Sequence, residues 1–171
     1  MARIKTLVRR LLVEHSVKGP PVPVEQLAKS VGAEVRYSPF EGDVSGMLFR
    51  HGDQVVIGIN SLHHPNRQRF SMAHEIGHLL MHQGMEVHVD HTYRVNLRND
   101  LSSQAVDPDE IAANRFAAEL LMPEEWLIRD LRGQDIDCEG EDDLKVLARK
   151  YGVSLKALTL RLTNLGIIRS D

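Results

Sequence analysis

The five residues His74-Glu75-Ile76-Gly77-His78 constrain this chain more than any other stretch, because their H-E-x-x-H spacing has chemical meaning only on a helix. Four residues along an α-helix advance about 400°, so His74 and His78 project from one face, one turn apart, where two imidazoles can hold one metal ion. Glu75 stands about 100° round from His74, where its carboxylate can reach a water activated by that metal without entering the ligand set. A chain with this composition shows such a pattern by chance in roughly 3 of 100 shuffled orders, so the flanking residues have to decide.

The flanks are helical. Phe70-Ser71-Met72-Ala73 leads in and Leu79-Leu80-Met81 leads out, and Ala73, Ile76, Gly77 and Leu80 recur at helical spacing, which predicts a mostly buried helix starting near Pro65. Gly77 costs about 1 kcal/mol there relative to Ala, which points either to a close approach by another backbone or substrate, or to simple tolerance.

A catalytic zinc site takes a third protein ligand and keeps one position open. A second strong helix is predicted over 107–122: Asp107 suits the N-cap, Pro108 the first turn, and Pro123 ends the run. Glu110 lies in its first turn and Asn114 one turn further along the same face, able to support a ligating histidine by hydrogen bonding. Glu110 also forms a D-x-x-E arrangement with Asp107, and the residues alone favour a capping role in which its carboxylate folds back onto the N-cap amide. Glu119 is about 180° away round the helix and cannot share a metal with Glu110, so a solvated or salt-bridged role is expected for it. His82, His88 and His91 are competing ligand candidates, His88, His91 and Tyr93 are candidate donors to a transition state, and the His63-His64 pair adds two further imidazoles.

The run from Asn66 to His82, followed by Glu110 to Pro123 with its Ala113-Asn114-Arg115-Phe116-Ala117-Ala118-Glu119-Leu120-Leu121-Met122-Pro123 core, closely resembles the ImmA/IrrE family of bacterial and phage metallopeptidases. The likeness extends loosely from about Val22, through Val44-Ser45-Gly46 and Val56-Ile57-Gly58-Ile59-Asn60, to the C-terminal helices. The resemblance implies a zinc-dependent cytoplasmic peptidase that cuts a helix-turn-helix repressor and releases the genes under its control; the residues leave another divalent metal such as Mn2+ open. Carried over by position, it places the metal ligands on His74, His78 and Glu110 and the catalytic carboxylate on Glu75, reversing the capping preference for Glu110. The chain departs from the family at Ala112, where relatives tend to carry a second acidic residue; any role of that carboxylate is in doubt here.

The implied fold is α+β: a mainly helical, zincin-like metallopeptidase domain with a small flanking β-sheet and a C-terminal helical, helix-turn-helix-like segment. Residues 1–132 would hold the N-terminal helix (3–16), the sheet (33–59) and the metal helices (65–82 and 107–122), with 133–171 packed as part of the same domain. Within the sheet, three strands are expected at Ala33 to Tyr37, Ser45 to Arg50 and Gln54 to Ile59, with a tight turn at His51-Gly52-Asp53; a further possible strand at Glu86 to Asn96 lies between the two metal helices. A short helix from Val24 to Val31 precedes them and one from Trp126 to Leu131 follows the second metal helix.

Composition sets the remaining bounds. At 171 residues and 42% hydrophobic, the chain can bury one core without staples. Cys138 is the only cysteine, so no internal disulfide forms and a reducing compartment is expected. Arg9 and Arg10 interrupt the apolar stripe of Ile4, Leu7, Val8, Leu11 and Leu12, so the first helix reads as amphipathic rather than as a signal or membrane span. Asp142 to Tyr151, Gly152-Val153 and a Ser154-capped helix to Leu165 look like a helix-turn-helix. From Glu141 to Asp171, however, six Lys or Arg stand against four Asp or Glu, and the net charge is -3, so direct DNA binding is not expected. The competing classes are a DNA-binding regulator using these helices, and a non-proteolytic metal-binding regulator or toxin-antitoxin component.

Overall fold

The computed structural model describes residues 2–82, 87–91, 107–133 and 141–168. Within them the chain runs α1 (Ala2–Glu14), α2 (Val24–Ser30), β1 (Glu34–Ser38), β2 (Val44–His51), β3 (Gln54–Asn60), α3 (Pro65–Met81), β4 (Val87–His91), α4 (Pro108–Leu121), α5 (Glu124–Gly133), α6 (Glu141–Tyr151) and α7 (Leu155–Asn164). This is the expected α+β class, with helices and one small sheet. Tyr93 and Cys138 lie outside the described residues. The chain groups into two compact units, Val24–Ala117, and Met1–Pro23 together with Ala118–Asp171.

The first of these units carries the sheet, in the order β1-β3-β2-β4. β2 and β3 form an antiparallel hairpin with His51 opposite Gln54, and Gly52 supplies the positive φ of 56° that the two-residue turn requires. β1 joins β3 in parallel, and β4 pairs antiparallel with β2. A register shift between Val44 and Gly46 bulges β2 at Ser45, whose hydroxyl accepts a 2.9 Å hydrogen bond from Arg67 of α3.

Alternation along the strands decides what faces α3. Gly46, Leu48, Ile57 and Ile59 are buried on the side where Gly46 touches Glu75 of α3. Val89 and Val87 alternate with His88 and Asp90 on β4, and His88 stands opposite Leu48 while Asp90 stands opposite Gly46. Directly opposed residues share a face, so the register turns both polar β4 side chains toward α3.

α3 begins with Pro65 at its first turn, as the sequence predicts, but its N-cap is His64, whose Nδ1 accepts from Asn66 N at 3.2 Å. At the other end Arg50 of β2 donates to the carbonyl of His78 (2.8 Å), which also accepts from His82 N, and to that of the C-cap residue His82 (3.0 Å), tying β2 to the end of α3. The unbroken run Ser71 to His78 is buried, which fits a helix enclosed by more than a single layer.

The second unit is helical. Tyr151 donates to Asp130 at 3.0 Å and Lys150 pairs with the same buried carboxylate at 2.8 Å, tying α6 to α5. Glu119 is ion-paired with Arg161 of α7, one of the two roles expected for it. Ser154 caps α7 by accepting from Ala157 N at 3.1 Å, which completes the α6-turn-α7 arrangement.

Candidate metal centre

The two motif histidines leave α3 as the spacing requires. His74 and His78 are buried, with their Nε2 atoms 3.0 Å apart. Glu110 of α4 comes to the same point: its Oε2 lies 3.4 Å from His74 Nε2 and its Oε1 lies 3.1 Å from His78 Nε2. Asp107 satisfies the helix start with its own carboxylate, accepting from Asp109 N at 2.9 Å, and leaves Glu110 turned to the histidines.

Asn114 fixes how His74 presents itself. Its Nδ2 donates to the Glu110 carbonyl at 2.8 Å, so the oxygen of the same amide is the atom 3.1 Å from His74 Nδ1. An amide oxygen only accepts, so His74 carries its proton on Nδ1 and offers the bare Nε2 lone pair to the cluster. Burial pushes the His78 pKa down, outweighing the hydrogen bond to Glu110, which favours the neutral imidazole that a metal needs. Burial alone would raise the Glu110 pKa, but contacts with His74, His78 and His88 hold it far below the ordinary carboxylate range. Lone pairs and an anion converge on one point, and four donors bonded at about 2.05 Å to a tetrahedral ion stand about 3.3 Å apart, close to the spacings observed. The donor set fits a divalent metal.

The family model described as the IrrE N-terminal-like domain, Peptidase_M78, matches residues 28–163. The chain belongs to this family. A Mycobacterium tuberculosis transcriptional regulator shares the fold, with a TM-score of 0.62 and 18% identity over 95% of this chain and 47% of that one. The present chain thus spans about half the length of that regulator. No curated protein matches significantly.

In this member of the family Glu75 is fully buried at 0% exposure, and among the described residues neither carboxylate oxygen has a hydrogen-bond partner. Burial pushes its pKa well up, and the nearby carboxylates of Asp90 and Glu110 push the same way. Its space comes from Gly46: a Cβ there would stand 3.0 Å from Glu75 Oε1.

Two groups near the metal point are set by strand register. His88 lies within 3.1 Å of Glu110 Oε1, and Asp90 joins His74 and Glu75 in a second buried cluster. The sequence offers His88 only as one of several competing imidazoles and gives no sign of Asp90. The signal available was the period of two that puts them on one face of a strand, but only pairing with β2 aims that face. His82, one turn beyond His78, pairs with Asp109 at 3.1 Å and stands outside the four-donor cluster, and His64 is used as a cap.

Gly77 meets the backbone of Ala113, not a substrate: an added Cβ would lie 3.2 Å from Ala113 Cα, 3.3 Å from its carbonyl oxygen and 3.1 Å from the Phe116 ring. Backbone cannot turn aside as a side chain can. Gly77→Ala is therefore expected to lower stability by about 1 kcal/mol, overpacking of about 1–3 kcal/mol exceeding the helix-propensity gain of about 1 kcal/mol. Denaturant titration of both proteins measures it.

Proposed function

We propose that this chain is a zinc-dependent endopeptidase that cuts a helix-turn-helix transcriptional repressor in the cytoplasm and so derepresses its genes. The observation that carries the reading is a buried carboxylate, Glu75, with no hydrogen bond among the described residues, beside the convergent His74, His78 and Glu110 donors. A carboxylate confined there without partners is destabilising for the fold, which makes sense if its partner is water or substrate. Zinc suits the mixed nitrogen and oxygen donors, with Mn2+ as the alternative.

A divalent ion bound there supplies Lewis acidity, polarising the scissile carbonyl and making water a better nucleophile at neutral pH. Glu75 takes the proton of the attacking water and returns it to the leaving amine, its raised pKa suiting both halves of that transfer. Asn114 keeps His74 in the ligating tautomer throughout. β4 ends the sheet among the described residues, so an extended substrate segment can pair along its outer edge beside His88. Among the described residues no helix is long and apolar enough to cross a membrane.

The test is to incubate the chain with candidate helix-turn-helix repressors, taking first any that is found encoded beside it, with zinc and with chelator. Two fragments that appear with zinc and vanish with chelator are expected. Metal uptake without fragments would instead identify a non-proteolytic metal-binding regulator.

A further inference from the structure

We propose that His88 is a fourth protein donor to the metal, closing the resting centre against outside ligands. The inference rests on the metal-centre reading above and adds a residue from a different element. His74, His78, His88 and Glu110 each place one ligand atom within 4.8 Å of all the others. His88 Nε2 is buried and 3.1 Å from Glu110 Oε1, yet among the described residues it makes no aligned hydrogen bond with that oxygen or any other group. Its ring centroid lies 3.9 Å from that of His78, and its side chain is only 12% exposed. An imidazole nitrogen held at ligand spacing from a carboxylate, but not bonded to it, is placed for an ion between them rather than for the carboxylate itself.

The consequence follows from coordination number. Three protein ligands leave zinc a position for water or substrate, whereas four close it, as in structural sites. The other three donors sit on helices α3 and α4, but His88 rides on β4, a five-residue strand at the end of the sheet whose pairing partner is bulged at Ser45. Among the described residues β4 has one ladder, and such a strand shifts at lower cost than a buried helix, so His88 is the donor that can withdraw to admit substrate.

The experiment uses the full chain loaded with Co2+ in place of zinc. X-ray absorption on wild type is expected to count three imidazoles, and added azide is expected to leave the visible cobalt bands unchanged. His88→Ala, and the milder His88→Gln, should bind Co2+ roughly 10- to 100-fold more weakly, the range found for groups supporting a metal site, and their bands should respond to azide. Two imidazoles in wild type, or a wild-type spectrum as responsive to azide as that of His88→Ala, would overturn the proposal. His78→Ala separates the two levels: if it abolishes uptake while His88 changes nothing, only the fourth donor is lost. If His78→Ala takes up Co2+ as wild type does, the metal centre itself is wrong and the fourth donor falls with it.

Discussion

Glu75→Gln is expected to retain its metal and to cleave the repressor roughly 10²- to 10⁴-fold more slowly, the range found when a general acid-base group is removed. The substitution preserves shape in a tight place, where Glu75 Oε1 lies against Gly46, and it removes only the capacity to carry a proton. His74, His78 and Glu110 are untouched, so metal uptake should match wild type. Metal-free protein offers a second readout. The folded-state pKa of Glu75 is raised above its ordinary 4.5, so the native state holds a proton that the unfolded chain releases. Stability is therefore lost as pH rises from about 4.5 toward the raised folded value, and Glu75→Gln escapes that loss. The variant's melting temperature without metal should equal or slightly differ from wild type in acid, then exceed it increasingly toward neutral pH. A Glu75→Gln protein that cleaves at the wild-type rate would remove the general base from the mechanism.

The parts of this centre legible in the sequence are those fixed within one helix. Helical spacing sets His74 against His78, Pro65 marks the start of α3, and Pro108 and Pro123 bracket α4, because each depends on residues a turn or less apart. Glu110 marks the limit: local rules offered it the N-cap, and the long-range cluster of histidines won, with Asp107 serving the cap by itself. Nothing within β4 distinguishes His88 from its neighbours as a donor; the pairing of Leu48 with His88 does, and that contact spans forty residues of chain. Gly77 was readable as a close approach, but only the packed structure shows that Ala113 is what approaches. His63 and His64 add imidazoles that local rules cannot sort: His64 caps α3, and His63 stands outside the donor cluster.

His78→Ala is expected to lose both metal and cleavage, and thermal melting separates this from simple misfolding. A ligand that binds only the native state adds about 2.7 kcal/mol of stability at 100 times its Kd, and a chain of this size shifts by about 2–4 °C per kcal/mol. Zinc at that excess should therefore raise the wild-type melting temperature by roughly 5–11 °C. His78→Ala should show no increment, because His74 and Glu110 are left with a gap where the second helical donor stood. The buried imidazole also fills space, so the variant will melt lower than wild type even without metal. That loss does not enter the comparison, since the quantity read is the zinc-dependent increment within each protein. His82→Ala supplies the control: His82 sits on the same face one turn further on but is paired with Asp109, so its removal should leave the increment intact. An undiminished increment in His78→Ala would mean that zinc stabilises the chain from elsewhere, and the centre on α3 would have to be abandoned.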